Sequence, residues 1–215
     1  MISKISNFHF LSYPPNKGIV PIVCEELFKR MKTGGENEVK YQVNFSMLEI
    51  YNEKVQDLLI PIGKRTQGGL KIREHKVHGV FVQDLSKHQV SSYSMIESLT
   101  EIGNRNRTIG STMMNACSSR AHTIVSIEFR QLEEINNKKI EKLSIIHLVD
   151  LAGSEKLSKT GAVGDRMKEG CSINKSLTVL GIVIGSLAEK AVGKAKNSVT
   201  PYRDSVNKCS FIFVN

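Results

Sequence analysis

Nowhere in the 215 residues does an apolar run approach the roughly 20 residues that a helix needs to cross a bilayer. The longest is Gly181-Ile-Val-Ile-Gly-Ser-Leu-Ala188, so no membrane span is predicted. The N-terminus, Met1-Ile-Ser-Lys-Ile-Ser6, lacks the continuous apolar stretch of a secretory signal, which argues against export. Cys24, Cys117, Cys171 and Cys209 form no CxxC pair. That spacing indicates neither a zinc site nor a disulfide framework, and predicts free thiols in a reducing compartment such as the cytoplasm. Repeats, low-complexity tracts and long Gly/Ser/Pro linkers are also missing, which favours a single unit. Aromatic residues make up 6% and are not interleaved with a basic stripe, so a base-stacking platform for nucleic acid is not indicated.

What is present is the balance of a globular protein, with 40% hydrophobic and 24% charged residues in a chain long enough to bury a core. The formal charge is +9, and it is uneven: residues 151–215 hold ten Lys/Arg against five Asp/Glu, the first 150 twenty against sixteen. A basic final third favours an acidic partner surface, whose nature composition does not decide.

Helical and strand patterns alternate. Ile22, Val23, Glu26, Leu27 and Arg30 fall at helical spacing over Ile19–Met31, closed by Thr33-Gly-Gly35. Lys40–Tyr51 reads as a strand, Asn52–Leu59 as a short helix, and Leu70–Arg73 and Val80–Gln83 as short strands. Ser91 or Ser92 is placed to cap a helix over Tyr93–Thr108. Thr123–Glu133 and Lys139–Val149 read as two strands of a hairpin. The apolar run Leu143–Val149 suggests a strand buried on both faces. Ile173–Lys190 reads as a helix with Leu177, Leu180, Ile184 and Leu187 toward the core.

Two segments carry candidate chemistry. Leu148-Val-Asp-Leu-Ala-Gly-Ser-Glu155 sets an acid and a glycine just past the carboxyl end of a strand, where open α/β sheets bind ligands. Asp150 could hold Mg²⁺ through its water shell, and Gly153 would let a backbone N–H approach a phosphate. Alone, Asp-x-x-Gly also occurs at ordinary strand-to-loop turns. Asn115-Ala-Cys-Ser-Ser-Arg-Ala-His122 gathers two hydroxyls, an arginine and a histidine before a strand. Ser118 or Ser119 could ligate Mg²⁺ or a phosphate oxygen, and Arg120 could pair with a carboxylate; a plain polar loop is the bland alternative.

Taken in order, Asn115-x-x-Ser-Ser-Arg-x-His122, Asp150-Leu-Ala-Gly-Ser-Glu155, Ile173-Asn-Lys-Ser-Leu177 and Pro201-Tyr-Arg-Asp-Ser205 resemble the kinesin motor domain in sequence and spacing. Leu48–Leu59 and Gly18-Ile-Val-Pro21 look similar too. Lys71–His75, Val82–Ser86 and Gly103–Thr108 look most like the kinesin-3 group. The resemblance implies an α/β fold: a partial kinesin-type P-loop NTPase with a mixed central sheet flanked by helices on both faces. It implies ATP and Mg²⁺ as cofactors, microtubules (tubulin) as partner in place of nucleic acid, and a cytoplasmic, cytoskeletal location. On matching positions, Asn115, Ser118 and Ser119 belong to the first switch loop and Asp150 and Gly153 to the second, with Ser119 and Asp150 nearest the metal. Arg120 and Glu155 match the ion pair that joins the switches around the hydrolytic water, a positioning device of the kind phosphoryl transfer requires. Lys156, Lys159, Arg166, Lys168, Lys175, Lys190, Lys194, Lys196, Tyr202 and Arg203 match the tubulin-facing set.

Departures from the family pattern are specific. Ala121 stands where a third serine is usual, a change expected to have a modest effect. The phosphate cradle GxxxxGK[ST] does not occur: Gly63-Lys64 is followed by Arg65 and Gly193-Lys194 by Ala195. The expected organisation is an unrelated segment at 1–17, a partial motor domain at 18–206 that looks cut at both ends, and a divergent tail at 207–215. A non-motor microtubule-binding module without ATP turnover is the alternative reading. A GTPase is disfavoured, since Leu177 occupies the place of the base-reading aspartate after Asn174-Lys175. His75 and His78 have no adjoining metal ligands, and His122 and His147 are expected in a switch loop and a satisfied strand rather than in acid/base catalysis.

Overall fold

A computed structural model of the chain describes residues 18–33, 39–52, 54–75, 79–113, 121–135, 138–153 and 165–193. The elements in order are α1 (Ile19–Thr33), β1 (Lys40–Tyr51), β2 (Lys54–Asp57), β3 (Ile72–His75), β4 (Gly79–Val82), β5 (His88–Val90), α2 (Tyr93–Met113), β6 (His122–Ile135), β7 (Lys138–Asp150) and α3 (Asp165–Ala191). The main sheet has the order β2-β1-β6-β7, with β5 also paired to β1, and β3 and β4 form a separate hairpin. Every pairing among the described residues is antiparallel, although the resemblance implied a mixed sheet.

The alternation of side chains divides the main sheet into two faces. Val43, Phe45 and Met47 of β1, with Val125 and Ile127 of β6, pack against Val20, Cys24 and Phe28 of α1 and Ile96 of α2. On the other face Leu48, Ile50 and Ile124 form a second cluster with Val55, the β3–β4 residues Ile72, Val80 and Val82, and Val149. Ser92 rather than Ser91 caps α2: its Oγ accepts the Met95 N–H at 3.4 Å.

Three expectations change. Asn52–Leu59 holds strand β2 instead of a helix, because Asn52 takes up φ 46° and turns the chain back so that Lys54–Asp57 pairs with Leu48–Tyr51. Asp57 then closes the segment, accepting the Leu59 and Ser86 backbone N–H groups, each at 2.8 Å. Second, α3 begins at Asp165, well before Ile173, and among the residues whose burial is described its buried ones are Val179 and Val183. Ile184 lies one helical step of about 100° beyond Val183 and is exposed. Third, β7 is not buried on both faces: Leu143 and Ile145 are 49% and 52% exposed. Among the described residues β7 has β6 as its sole ladder partner, and the β3–β4 hairpin covers the second face nearer β1.

The approach of α2 to β1 depends on Gly103. A methyl group there would meet the Met47 sulfur at 2.4 Å, and Met47 is fully buried. A branched side chain forces that packing apart at a typical overpacking cost of about 1–3 kcal/mol. Gly103→Val should therefore lower the urea midpoint with an unchanged slope, and an equal or higher midpoint would show that Met47 can move aside.

Candidate functional site

The β6–β7 register decides which residues meet. Thr123 pairs with Asp150 and Ile124 with Val149, so the start of β6 and the end of β7 lie side by side. The two candidate segments, before Ala121 and after Gly153, therefore join the described chain at one end of the sheet. Thr123 also stands opposite Glu49 of β1, which places Glu49, Thr123 and Asp150 in one row on the face that α2 covers.

Arg107 of α2 reaches this row. Its Nη1 donates to Thr123 Oγ1 at 3.0 Å, and its charge acts on both Asp150 and Glu49. Burial pushes the Asp150 carboxyl above the usual aspartate range, and Arg107 opposes the rise. Glu49 is raised by burial as well, against the pull of Arg65 first and Arg107 second. Arg65 Nη1 lies 3.7 Å from Glu49 Oε1, and its Nε donates to the Ile60 carbonyl at 2.9 Å. The row thus alternates cation and anion in a poorly solvated setting, where each charge is held by its neighbours.

A second link joins the two strands at the same end. The buried His122 accepts the Ala152 N–H on Nδ1 at 2.9 Å. This fixes the neutral tautomer with its proton on Nε2. Burial holds the His122 pKa below its ordinary value, consistent with that role. The bond anchors the backbone between Asp150 and Gly153 to the first residues of β6. His147 is half-buried on the other face and shares a 2.8 Å hydrogen bond between its Nδ1 and Ser126 Oγ, as expected for a satisfied strand histidine.

Of the residues singled out in the sequence, Asp150 and Gly153 are therefore placed at the sheet end, and Lys190 lies in the last turn of α3. Arg166, Lys168 and Lys175 lie on the α3 backbone path. Asn115, Ser118, Ser119, Arg120, Glu155, Lys156, Lys159, Lys194, Lys196, Tyr202 and Arg203 lie outside the described residues. Arg107 was missed as a site residue. The available signal was its place on the buried stripe of α2, in line with Ile96, Thr100 and Gly103, where an arginine needs a partner. A groove of about 710 Å³ on the opposite face, walled by Leu85, Val82, Leu143 and Ile145, does not include Asp150.

The Asp150 environment fits the Mg²⁺ that the resemblance implies. Among the described residues its carboxylate receives no hydrogen bond, and the nearby Arg107 charge opposes the rise in pKa that burial causes, favouring the ionised form that would accept metal-bound water. No cluster of three or more metal-type ligands occurs among the described residues, so the remaining ligands would have to come from elsewhere.

Comparison with known proteins adds independent observations. The family model described as the kinesin motor domain matches residues 8–207, beginning before Gly18. The mouse kinesin-like protein KIF13A is 48% identical over 204 residues, covering 93% of this chain and 11% of that protein. Drosophila Klp98A is 45% identical over 215 residues, covering 93% and 17%. Among solved structures, the KIF14 dimer bound to AMP-PNP and a microtubule superposes with a TM-score of 0.81 at 40% identity, covering 96% of this chain and 57% of that one. A structure titled as a fast kinesin gives 0.78 at 37% identity, covering 93% and 52%. The chain spans about a tenth to a sixth of the length of these two curated relatives, and little over half of the solved chains.

The His122 link carries a pH dependence. With the folded pKa held below 6.5, the unfolded chain takes up the proton more readily. The stability contributed by neutral His122 is therefore present above about pH 6.5 and lost as pH falls. His147, lowered by burial in the same way, adds to that loss. His122→Asn keeps an acceptor without a titrating ring, and should flatten the decline in urea midpoint across about pH 5 to 8. An unchanged slope would exclude His122 as its source. Arg107→Gln should raise the Asp150 pKa further in carboxyl NMR titration, since it removes the opposing charge.

Proposed function

Because this chain belongs to the kinesin motor-domain family, with kinesin-3 relatives among its matches, we propose that it acts as the phosphate-sensing and track-binding part of a microtubule motor. The observation that carries this reading is the convergence at one sheet end of the β6 start and the β7 end, tied by His122 to Ala152. The family's two switch motifs abut these ends. A change in one loop can reach the other through two short backbone paths.

The roles are those the family resemblance implies at matching positions. We assign Asn115, Ser118 and Ser119 to the phosphate side, with the Ser119 hydroxyl and the Asp150 carboxylate toward Mg²⁺. Gly153 offers an N–H that a side chain at that position would obstruct. Arg120 and Glu155 are the pair that closes around the reacting water, excluding bulk solvent and holding its orientation. Bound Mg·ATP supplies the transferable γ-phosphate. Arg107 acts behind this set as a positioning residue, holding Asp150 through charge and Thr123 through a hydrogen bond.

For the track side, Lys156, Lys159, Arg166, Lys168, Lys175, Lys190, Lys194, Lys196, Tyr202 and Arg203 give a basic set that suits the acidic surface of tubulin. We place this set in the cytoplasm, on the microtubule cytoskeleton. We assign the motor-domain part to 18–206, which lies within the 8–207 that the family model matches.

ATP-driven movement is assigned to a protein that also carries a phosphate cradle. These 215 residues contain no GxxxxGK[ST], so the chain itself is assigned to microtubule binding without turnover. Two measurements test the proposal. Microtubule cosedimentation should be strong at low salt and weaken as salt rises; replacing Lys156, Lys159, Arg166 and Lys168 with alanine should weaken it about tenfold, at roughly 0.2–1 kcal/mol per exposed contact. No pelleting at low salt would count against a tubulin face. Microtubule-stimulated ATP hydrolysis by the same preparation should stay at background, and a clear stimulated rate would overturn the turnover-free assignment.

A further inference from the structure

Arg65 belongs to a segment that is otherwise turned to solvent. From Pro61 to Gly68 every residue is exposed except Ile62 and Arg65, and the Arg65 side chain is only 8% exposed. Arg65 Nε donates to the Ile60 carbonyl at 2.9 Å, its backbone N–H closes the short turn on the Ile62 carbonyl at 3.2 Å, and its guanidinium faces the buried Glu49. Further on, Gly69 sits at φ 84°, so close to β2 that a Cβ would stand 2.7 Å from the Val55 carbonyl oxygen. The Leu70 N–H bonds that same carbonyl at 2.8 Å, and β3 begins at Ile72. The segment therefore reaches the sheet end through Arg65 and the β3–β4 hairpin through Leu70.

Glu49 lies under the charge of two arginines. Arg65 Nη1 is 3.7 Å from Glu49 Oε1, beyond hydrogen-bond reach, and Arg107 acts on the same carboxylate by charge. Each arginine has a hydrogen bond of its own elsewhere, Arg65 to Ile60 and Arg107 to Thr123. Arg65 Nη2 is buried and makes no hydrogen bond among the described residues, so its hold on Glu49 is a charge contact with a donor in reserve. Asp57, the other acid whose charge reaches Arg65, already accepts the Leu59 and Ser86 N–H groups. In a setting this poor in water, a carboxylate stripped of one cation turns to the next. Arginine suits the place, because its fork serves a carbonyl and a carboxylate together.

We infer that Arg65 is a further positioning residue for the Asp150 end of the sheet: by holding Glu49, it leaves Arg107 to Thr123 and Asp150. Withdrawal of Arg65 lets Glu49 draw Arg107 along the row Glu49–Thr123–Asp150, away from the acid. Asn106, the neighbour of Arg107, bonds the Leu58 carbonyl at 2.8 Å, which keeps α2 fastened to the chain entering the segment while the arginines change partners. A displacement of the Pro61–Gly69 segment thereby acts on Asp150 through Glu49 and Arg107 without touching it. The bearing on Mg²⁺ rests on the role proposed above for Asp150; the exchange of partners does not.

Guanidinium NMR of the 215-residue chain tests this, with the Arg107 signals assigned by their loss in Arg107→Gln. Arg65→Gln keeps a donor for the Ile60 carbonyl and removes the charge. It should shift the Arg107 signals and speed their proton exchange with water about tenfold, as expected for the loss of one charge-assisted hydrogen bond. The double substitution R65Q/E49Q removes the competing carboxylate as well, and should return both readings toward those of the unsubstituted chain. Glu49→Gln alone should slow the exchange, because Arg107 then serves Thr123 and Asp150 only. This variant keeps Arg65 and decides the matter if circular dichroism shows R65Q unfolded. Unchanged Arg107 signals in folded R65Q, a shift that persists in R65Q/E49Q, or equal or faster exchange in E49Q would each overturn the inference and leave Arg65 a scaffold residue. Microtubule cosedimentation and ATP hydrolysis enter none of these readings, so a failure here is distinguishable from a failure of the proposed function.

Discussion

The pairing of β6 with β7 is the constraint on which the rest of the site depends. Its register sets Thr123 against Asp150, and a two-residue shift would leave Arg107 bonded to Thr123 but far from the acid it balances. A one-residue shift would be worse, since it would turn Asp150 away from α2 and expose Ile146 and Leu148 to the opposite face. The apolar packing of Ile127, Ile146 and Leu148 against the helix-covered core therefore secures the position of a charged group at the end of the sheet. Core packing and site geometry are one interaction seen at two points along the same ladder.

Around that ladder the fold spends burial on charge in a controlled way. Glu49, Arg65, Arg107 and Asp150 are all at least partly withdrawn from water, and both acids are shifted toward their neutral forms by burial. Isolated, such groups would be costly; arranged in alternation, each offsets part of its neighbour's desolvation. Asp57 serves a different end, since its two accepted backbone hydrogen bonds tie the β2 exit to the loop before β5. This is why the Leu48–Leu59 stretch, although family-like, carries scaffold rather than chemistry.

The two sides of the sheet are finished unequally. Helices α1 and α2 close one face over a continuous apolar core, while the other is capped by the β3–β4 hairpin near β1 and remains open toward β7. Gly103 allows the tight approach on the first side. On the second, Leu143 and Ile145 remain half exposed, and among the described residues β7 is paired on its β6 side alone.

Much of this was legible from residue order. The strand patterns of β1, β6 and β7, the capped helix α2 and the family motifs were all read from local spacing, because periodicity and caps are properties of a few adjacent residues. The acid that ends β7 and the glycine beyond it were read in the same way. Three things were not local. Asn52–Leu59 has a helix-compatible pattern, yet the β1 edge captured it as a strand. The apolar run in β7 announces burial, but whether a strand has neighbours on both sides is a property of the sheet. Arg107 looked like one more surface cation until α2 was laid across the sheet end. The sequence by itself determined the elements, the motifs and the family, since these rest on short-range chemistry. Only the tertiary structure decided which charges share a buried row and which sheet face the helices cover, because both depend on contacts between residues that are distant along the chain.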